Sequence, residues 1–120
     1  MQFDKDINGK YADIFLKLRA ILLSYEEINE LKNAKQTSYR DSYGVVAMMR
    51  DRGDKFVVSL GKGVALQKKY PFLEGNGKIV RHIYFQSLED VDEGLFREII
   101  EESLVLNMEA YELKMLRKSL

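Results

Sequence analysis

The stretch Tyr43-Gly-Val-Val-Ala-Met-Met-Arg-Asp-Arg-Gly-Asp-Lys-Phe-Val-Val-Ser-Leu60 decides the fold class. Two apolar runs, Tyr43 to Arg50 and Lys55 to Leu60, flank the polar segment Asp51-Arg52-Gly53-Asp54, whose residues suit a short hairpin loop. An antiparallel pair is therefore expected in the middle of the chain. Both runs are apolar at nearly every position, which predicts a sheet partly covered on both faces. A third strand is expected from Lys78 to Gln86.

Helical periodicity brackets these strands. Tyr11, Ile14, Phe15, Leu18, Ile21, Leu22 and Tyr25 predict an amphipathic helix over 8–25, with Asn8 or Asp6 as its cap. Gly61, Gly63 and the lone Pro71 punctuate a connection that holds a short helical turn near Leu66. Ser87-Leu-Glu-Asp90 resembles a capping box. Beyond it Leu95, Phe96, Ile99, Ile100 and Ser103 line one helical face. Asn107 is expected to end that helix in a left-handed conformation, with a second short helix over 109–118. The order predicts one α+β domain over 1–120, an antiparallel β-sheet packed with an N-terminal helix and C-terminal helices.

Composition narrows the function classes. The chain has no cysteine, which removes disulfides, thiolate metal sites and thiol nucleophiles. The charged start Met-Gln-Phe-Asp-Lys-Asp is unlike a signal peptide, and no apolar run is long enough to cross a bilayer. A cytoplasmic location without membrane contact is the expectation. Nineteen basic and nineteen acidic residues cancel, so no nucleic-acid partner is expected. The charge is nonetheless divided. Lys62, Lys68, Lys69, Lys78 and Arg81 face one acid, Glu74, over 61–83; seven acids face only Arg97 over 89–102. Two solvated faces explain this, or an anion site in the first stretch and a weak cation site in the second. In the second, Glu98, Glu101 and Glu102 lie on one side of a helix.

Leu73-Glu-Gly-Asn-Gly-Lys-Ile-Val-Arg-His82 gathers two glycines, a lysine, an arginine and the only histidine. In a strand Lys78, Val80, His82 and Tyr84 share one face, and Ile79, Arg81, Ile83 and Phe85 the other. Arg81 then lies among apolar positions and needs a partner, expected among the acids after Ser87. His82 with Lys78 is the candidate anion site, with Gly75 and Gly77 offering backbone N–H groups or simply a turn. The spacing is not that of a Walker loop. Lys62, between Gly61 and Gly63, is a second candidate, and Tyr39, Tyr43 and Arg50 line the same cleft if the hairpin adjoins it.

Catalysis has little support. One histidine and no cysteine exclude common structural zinc sites and Cys–His pairs, and Ser-His-Asp chemistry would need a serine beside His82. Met108, Tyr111, Met115 and Leu116 form an apolar stripe, either core or a homodimer contact. The expectation is a non-enzymatic module for a small anionic ligand or a protein partner, with no cofactor indicated.

Four segments in order carry a family resemblance: Tyr39 to Tyr43, Leu60-Gly-Lys-Gly-Val-Ala-Leu66, Leu73 to His82, and the Leu-Glu-Asp helix start. Over 10–103 the chain resembles the YdhG-like family (domain of unknown function 1801). The resemblance implies a small two-layer α+β sandwich, loosely frataxin-like, in cytosolic bacterial proteins. Some relatives are described as iron chaperones, so iron binding is the alternative function. Frataxin-like iron binding calls for carboxylates clustered on the first helix and adjoining strand. Here that helix offers Asp13, with Asp4 and Asp6 before it and Glu26, Glu27 and Glu30 after it. Residues 104–120 lie outside the pattern, as an additional C-terminal helix.

Overall fold

The computed structural model describes all residues, 1–120. In chain order it contains α1 (Gln2–Asn8), α2 (Ala12–Leu23), β1 (Asn29–Lys32), β2 (Thr37–Arg40), β3 (Val45–Asp51), β4 (Phe56–Leu60), α3 (Gly63–Gln67), β5 (Arg81–Phe85) and α4 (Glu93–Ser119), with a 3-10 turn at Leu88–Asp90. The strands form one sheet in the order β1-β2-β3-β4-β5, each antiparallel to its neighbour. The α+β class is as expected. No helix is long and apolar enough to cross a membrane.

The hairpin closes as the sequence implies. Asp51 faces Phe56, and the Arg52 N–H donates to the Lys55 carbonyl at 3.0 Å. Gly53 takes φ +100°, a conformation that side chains disfavour. Alternation then sends Phe56, Val58 and Leu60 to one face, where Ile14, Phe15, Leu18 and Leu22 of α2 and Phe96, Ile99 and Ile100 of α4 bury them. The partial cover expected on both faces forms, with a helix layer on this face only. Val57, on the other face, is buried yet stands outside this core cluster. Its cross-strand neighbours are Arg50 and Tyr84.

The N-terminal helix is two helices. The chain breaks at Gly9, where a β-carbon would lie 2.8 Å from the Lys5 carbonyl oxygen. Neither expected cap caps. Asn8 Nδ2 donates to the Asp4 carbonyl, and Asp6 is buried, accepting from Gln2 Nε2 at 2.9 Å and from the Asp51 N–H at 3.0 Å. Asp6 thus ties α1 to β3.

Ser87 and Asp90 do form a capping box, but it opens only the 3-10 turn. The main helix starts again at Asp92, whose Oδ1 accepts from the Leu95 N–H at 3.1 Å. Asn107 does not end that helix, which runs unbroken to Ser119. Its side chain is buried instead, Nδ2 donating to the Val45 carbonyl at 3.3 Å and to Asp41 Oδ1 at 3.4 Å. A tertiary role for the amide replaces the local one.

Candidate functional site

The β3–β4–β5 ladders assemble the site on the face turned away from the core. Met48 lies opposite Ser59, Ser59 opposite His82, and His82 opposite Glu74. In the next row Arg50 lies opposite Val57, and Val57 opposite Tyr84. Cross-strand neighbours on one face are close enough to touch. His82 Nδ1 is 2.8 Å from Ser59 Oγ, and its ring stacks on Tyr84 with centroids 6.0 Å apart at 26°. Lys55 Nζ stands 4.5 Å from the Tyr84 ring centroid and the Arg52 guanidinium 5.4 Å from it. Val57 forms an apolar floor between Tyr84 and Arg50.

The field here is positive. Burial holds the His82 pKa below its ordinary value, and Arg52, Arg50 and Arg81 push it further down against a weaker opposing pull from Glu74. Arg52 is paired with Asp54 at 2.8 Å, which lowers that carboxyl to about 2. Arg50 and Lys55 make no ion pair. Two unpaired cations beside two stacked rings can hold an anion with a flat body.

Arg81 takes the core-side face, as strand alternation predicts, but its partner is no carboxylate. Its Nε donates to Gln67 Oε1 at 3.0 Å, and Nη1 donates to the Gly77 and Val80 carbonyls at 2.6 and 2.9 Å. Gln67 in turn donates to the Leu73 carbonyl. Arg81 therefore ties α3 to the 73–80 loop, and neutral oxygens suffice because the guanidinium is only partly buried.

The glycines divide by role. Gly63 meets β5 so closely that a β-carbon would lie 2.6 Å from the Arg81 Cβ, and the Val64 N–H donates to the Ile79 carbonyl at 2.9 Å. A β-carbon at Gly61 would lie 2.5 Å from the Val45 carbonyl oxygen. Gly75 adopts φ +131°, whereas Gly77 does not enter the left-handed region.

Lys62 immediately precedes α3, and Lys78 is exposed in the loop before β5. Backbone contacts of α3 with Ile79 and Arg81 bring Lys62 near the start of β5, and no side-chain hydrogen bond or ion pair engages either lysine. Tyr39 is no part of a cleft. It is fully buried, donating to Glu30 Oε2 at 2.8 Å, and burial pushes its phenol pKa up. Glu30 also holds Arg19 at 2.7 Å, so Tyr39 belongs to a structural network. Tyr43 is exposed against Tyr111, 4.9 Å between centroids, beside a cavity of about 380 Å³ that none of the His82 neighbours lines.

Sequence reading missed Ser59, Arg52, Lys55 and Val57. Their signal was the hairpin register, which sets Ser59 opposite Met48; the β4–β5 register that brings in His82 had no such marker. The expected requirement for a serine beside His82 is met by Ser59. Yet no carboxylate hydrogen-bonds the other imidazole nitrogen, so the Ser59–His82 pair lacks the third member of a triad. No group of three or more His, Asp or Glu side chains converges to hold a metal ion. The opposed charge blocks meet in part, with Lys69 Nζ 3.7 Å from Glu98 and 3.6 Å from Glu102.

Comparisons with family models, with curated proteins and with solved structures find no match to this chain.

Proposed function

We propose that the chain is a non-enzymatic binding module for a small anionic ligand with a flat apolar part, held on the β3–β4–β5 face. One observation carries this reading: His82 stacks on Tyr84, whose ring lies beneath Lys55 and Arg52, two strands across from the unpaired Arg50 with Val57 between. Stacking would hold the flat part over Val57, and the cations would take the charge. His82 contributes a hydrogen bond when neutral and a further charge when protonated. Membership of the YdhG-like family and a cytoplasmic setting are part of the same proposal, supported by the ordered motifs from Tyr39 to Asp90 and by the absence of cysteine.

A thermal-shift panel of anionic metabolites, nucleotides and divalent cations, with ferrous iron tested anaerobically, tests the class. An anion at a hundred times its dissociation constant adds about 2.7 kcal/mol, several degrees of melting temperature for a domain of this size. Stabilisation by an anion, lost in His82→Ala, supports the reading. Selective stabilisation by ferrous iron contradicts it in favour of the iron-binding alternative.

A further inference from the structure

β5 is the free edge of the sheet. In an antiparallel ladder alternate residues turn their N–H and C=O groups to opposite sides. On the outer side His82 is satisfied by Glu74, with bonds of 2.7 and 3.0 Å, and the Gln86 N–H is held by Asp90 Oδ2 at 2.8 Å. Tyr84, between them, turns its N–H and C=O to the same outer side, where no hydrogen bond satisfies them. Continuing the Glu74–His82 register would set Phe72 opposite Tyr84. The chain instead turns there, the Leu73 N–H donating to the Tyr70 carbonyl, and leaves a cavity of about 450 Å³ between Phe72 and the strand edge.

Ile83, Phe85, Leu95, Phe96 and Ile99 make the cavity apolar. Its rim carries three carboxylates, Glu74, Asp90 and Asp92, against one ammonium, Lys55. The Gln86 and Ser87 N–H groups lower the Asp90 pKa and keep it ionised. One unpaired edge residue beside a cavity offers the main-chain bonds and the side-chain pocket that strand addition uses, and the acidic rim adds a preference for basic residues.

We infer that this slot receives an extended peptide segment carrying an apolar side chain next to a basic one. Its backbone pairs with the N–H and C=O of Tyr84, its apolar side chain enters the cavity, and the neighbouring lysine or arginine, turned to the opposite face, meets Glu74 across from His82. The cavity lies within the range of sites that hold a ligand of this size. This slot uses the edge and core side of β5 rather than the His82–Arg50 surface, and it meets the anion face at Lys55 and Tyr84.

The test is an amide NMR titration of the chain with acetyl-Lys-Val-Lys-Val-Lys-amide. The expected result is shift changes at Glu74, Ile83 to Gln86 and Leu95, slowed hydrogen exchange at Tyr84, and binding at least tenfold weaker for acetyl-Glu-Val-Glu-Val-Glu-amide. Leu95→Trp, which fills the cavity and leaves the His82 face intact, should abolish the changes. If that variant does not fold, Glu74→Lys on the rim should weaken binding instead. No shifts at millimolar peptide, equal binding of the glutamate peptide, or full binding by the folded variant would overturn the inference. Protection of Tyr84 that rises with protein concentration without peptide would overturn it in favour of a second copy pairing at this edge.

Discussion

His82 Nδ1 and the Ser59 hydroxyl stand 2.8 Å apart across the β4–β5 pair, where burial first, and then the charges of Arg52, Arg50 and Arg81, depress the histidine pKa. The hydroxyl fixes the ring orientation, and burial together with the arginines disfavours the imidazolium. An anion bound here reverses that balance by favouring the imidazolium.

Opposite pH trends for stability and binding follow. The folded His82 pKa lies below its unfolded value, so below about pH 6.5 the unfolded chain takes up protons first and stability falls as pH drops. Anion affinity rises over the same range, by up to about tenfold, as His82 gains charge. Calorimetric titrations from pH 7.5 to 5.5 check this, and His82→Gln should flatten the dependence of affinity.

Arg50→Ala should weaken anion binding by about tenfold, worth 1.4 kcal/mol, since Arg50 faces the Val57 floor without an ion pair. Lys78→Ala should change affinity by less than about twofold, because Lys78 lies in the preceding loop without a side-chain contact. Both positions are exposed, so neither melting temperature should move appreciably.

Two glycines of the same region should respond in opposite ways. Gly63→Ala forces a methyl into the Arg81 backbone and should cost about 1–3 kcal/mol or more in urea unfolding. Gly77→Ala meets nothing closer than the Val80 carbonyl at 3.8 Å and has no left-handed φ, so it should be neutral or stabilising by about 0.5 kcal/mol.

These contrasts mark what the sequence made legible. Strand alternation correctly separated His82 from Arg81, because a two-residue period depends only on local geometry. It could not supply partners: Arg81 found Gln67 and two carbonyls, and His82 found Ser59, through registers set by tertiary packing. β1 (Asn-Glu-Leu-Lys) and β2 (Thr-Ser-Tyr-Arg) went unread because four mostly polar residues carry no alternation. Tyr39 was drawn toward a cleft by its place in a motif, whereas its hydroxyl serves the buried edge of the Arg19–Glu30 pair. Asn107 had the residue type of a helix end, and a buried bond to the Val45 carbonyl overrode it.

Asp6→Asn should stabilise the chain at neutral pH. Burial raises the Asp6 pKa, and its Oδ2 has no hydrogen-bond partner. A raised carboxyl pKa means the folded chain binds protons more readily, so stability falls as pH rises from 3.8 through the folded value. The amide keeps an acceptor for the Asp51 N–H without the buried charge. A gain of about 1 kcal/mol at pH 7, shrinking toward pH 4, is expected in urea melts.

The His82 face is proposed to bind a small anion with a flat body. Amide NMR shifts of the chain titrated with adenosine monophosphate, alongside inorganic phosphate, test it most directly. Shifts are expected to cluster at Arg50, Val57, Ser59, His82 and Tyr84, to be larger for the nucleotide than for phosphate, and to need about tenfold more nucleotide in Arg50→Ala. No shifts at millimolar nucleotide, or shifts confined to the Tyr43–Met108 end of the molecule, would contradict it.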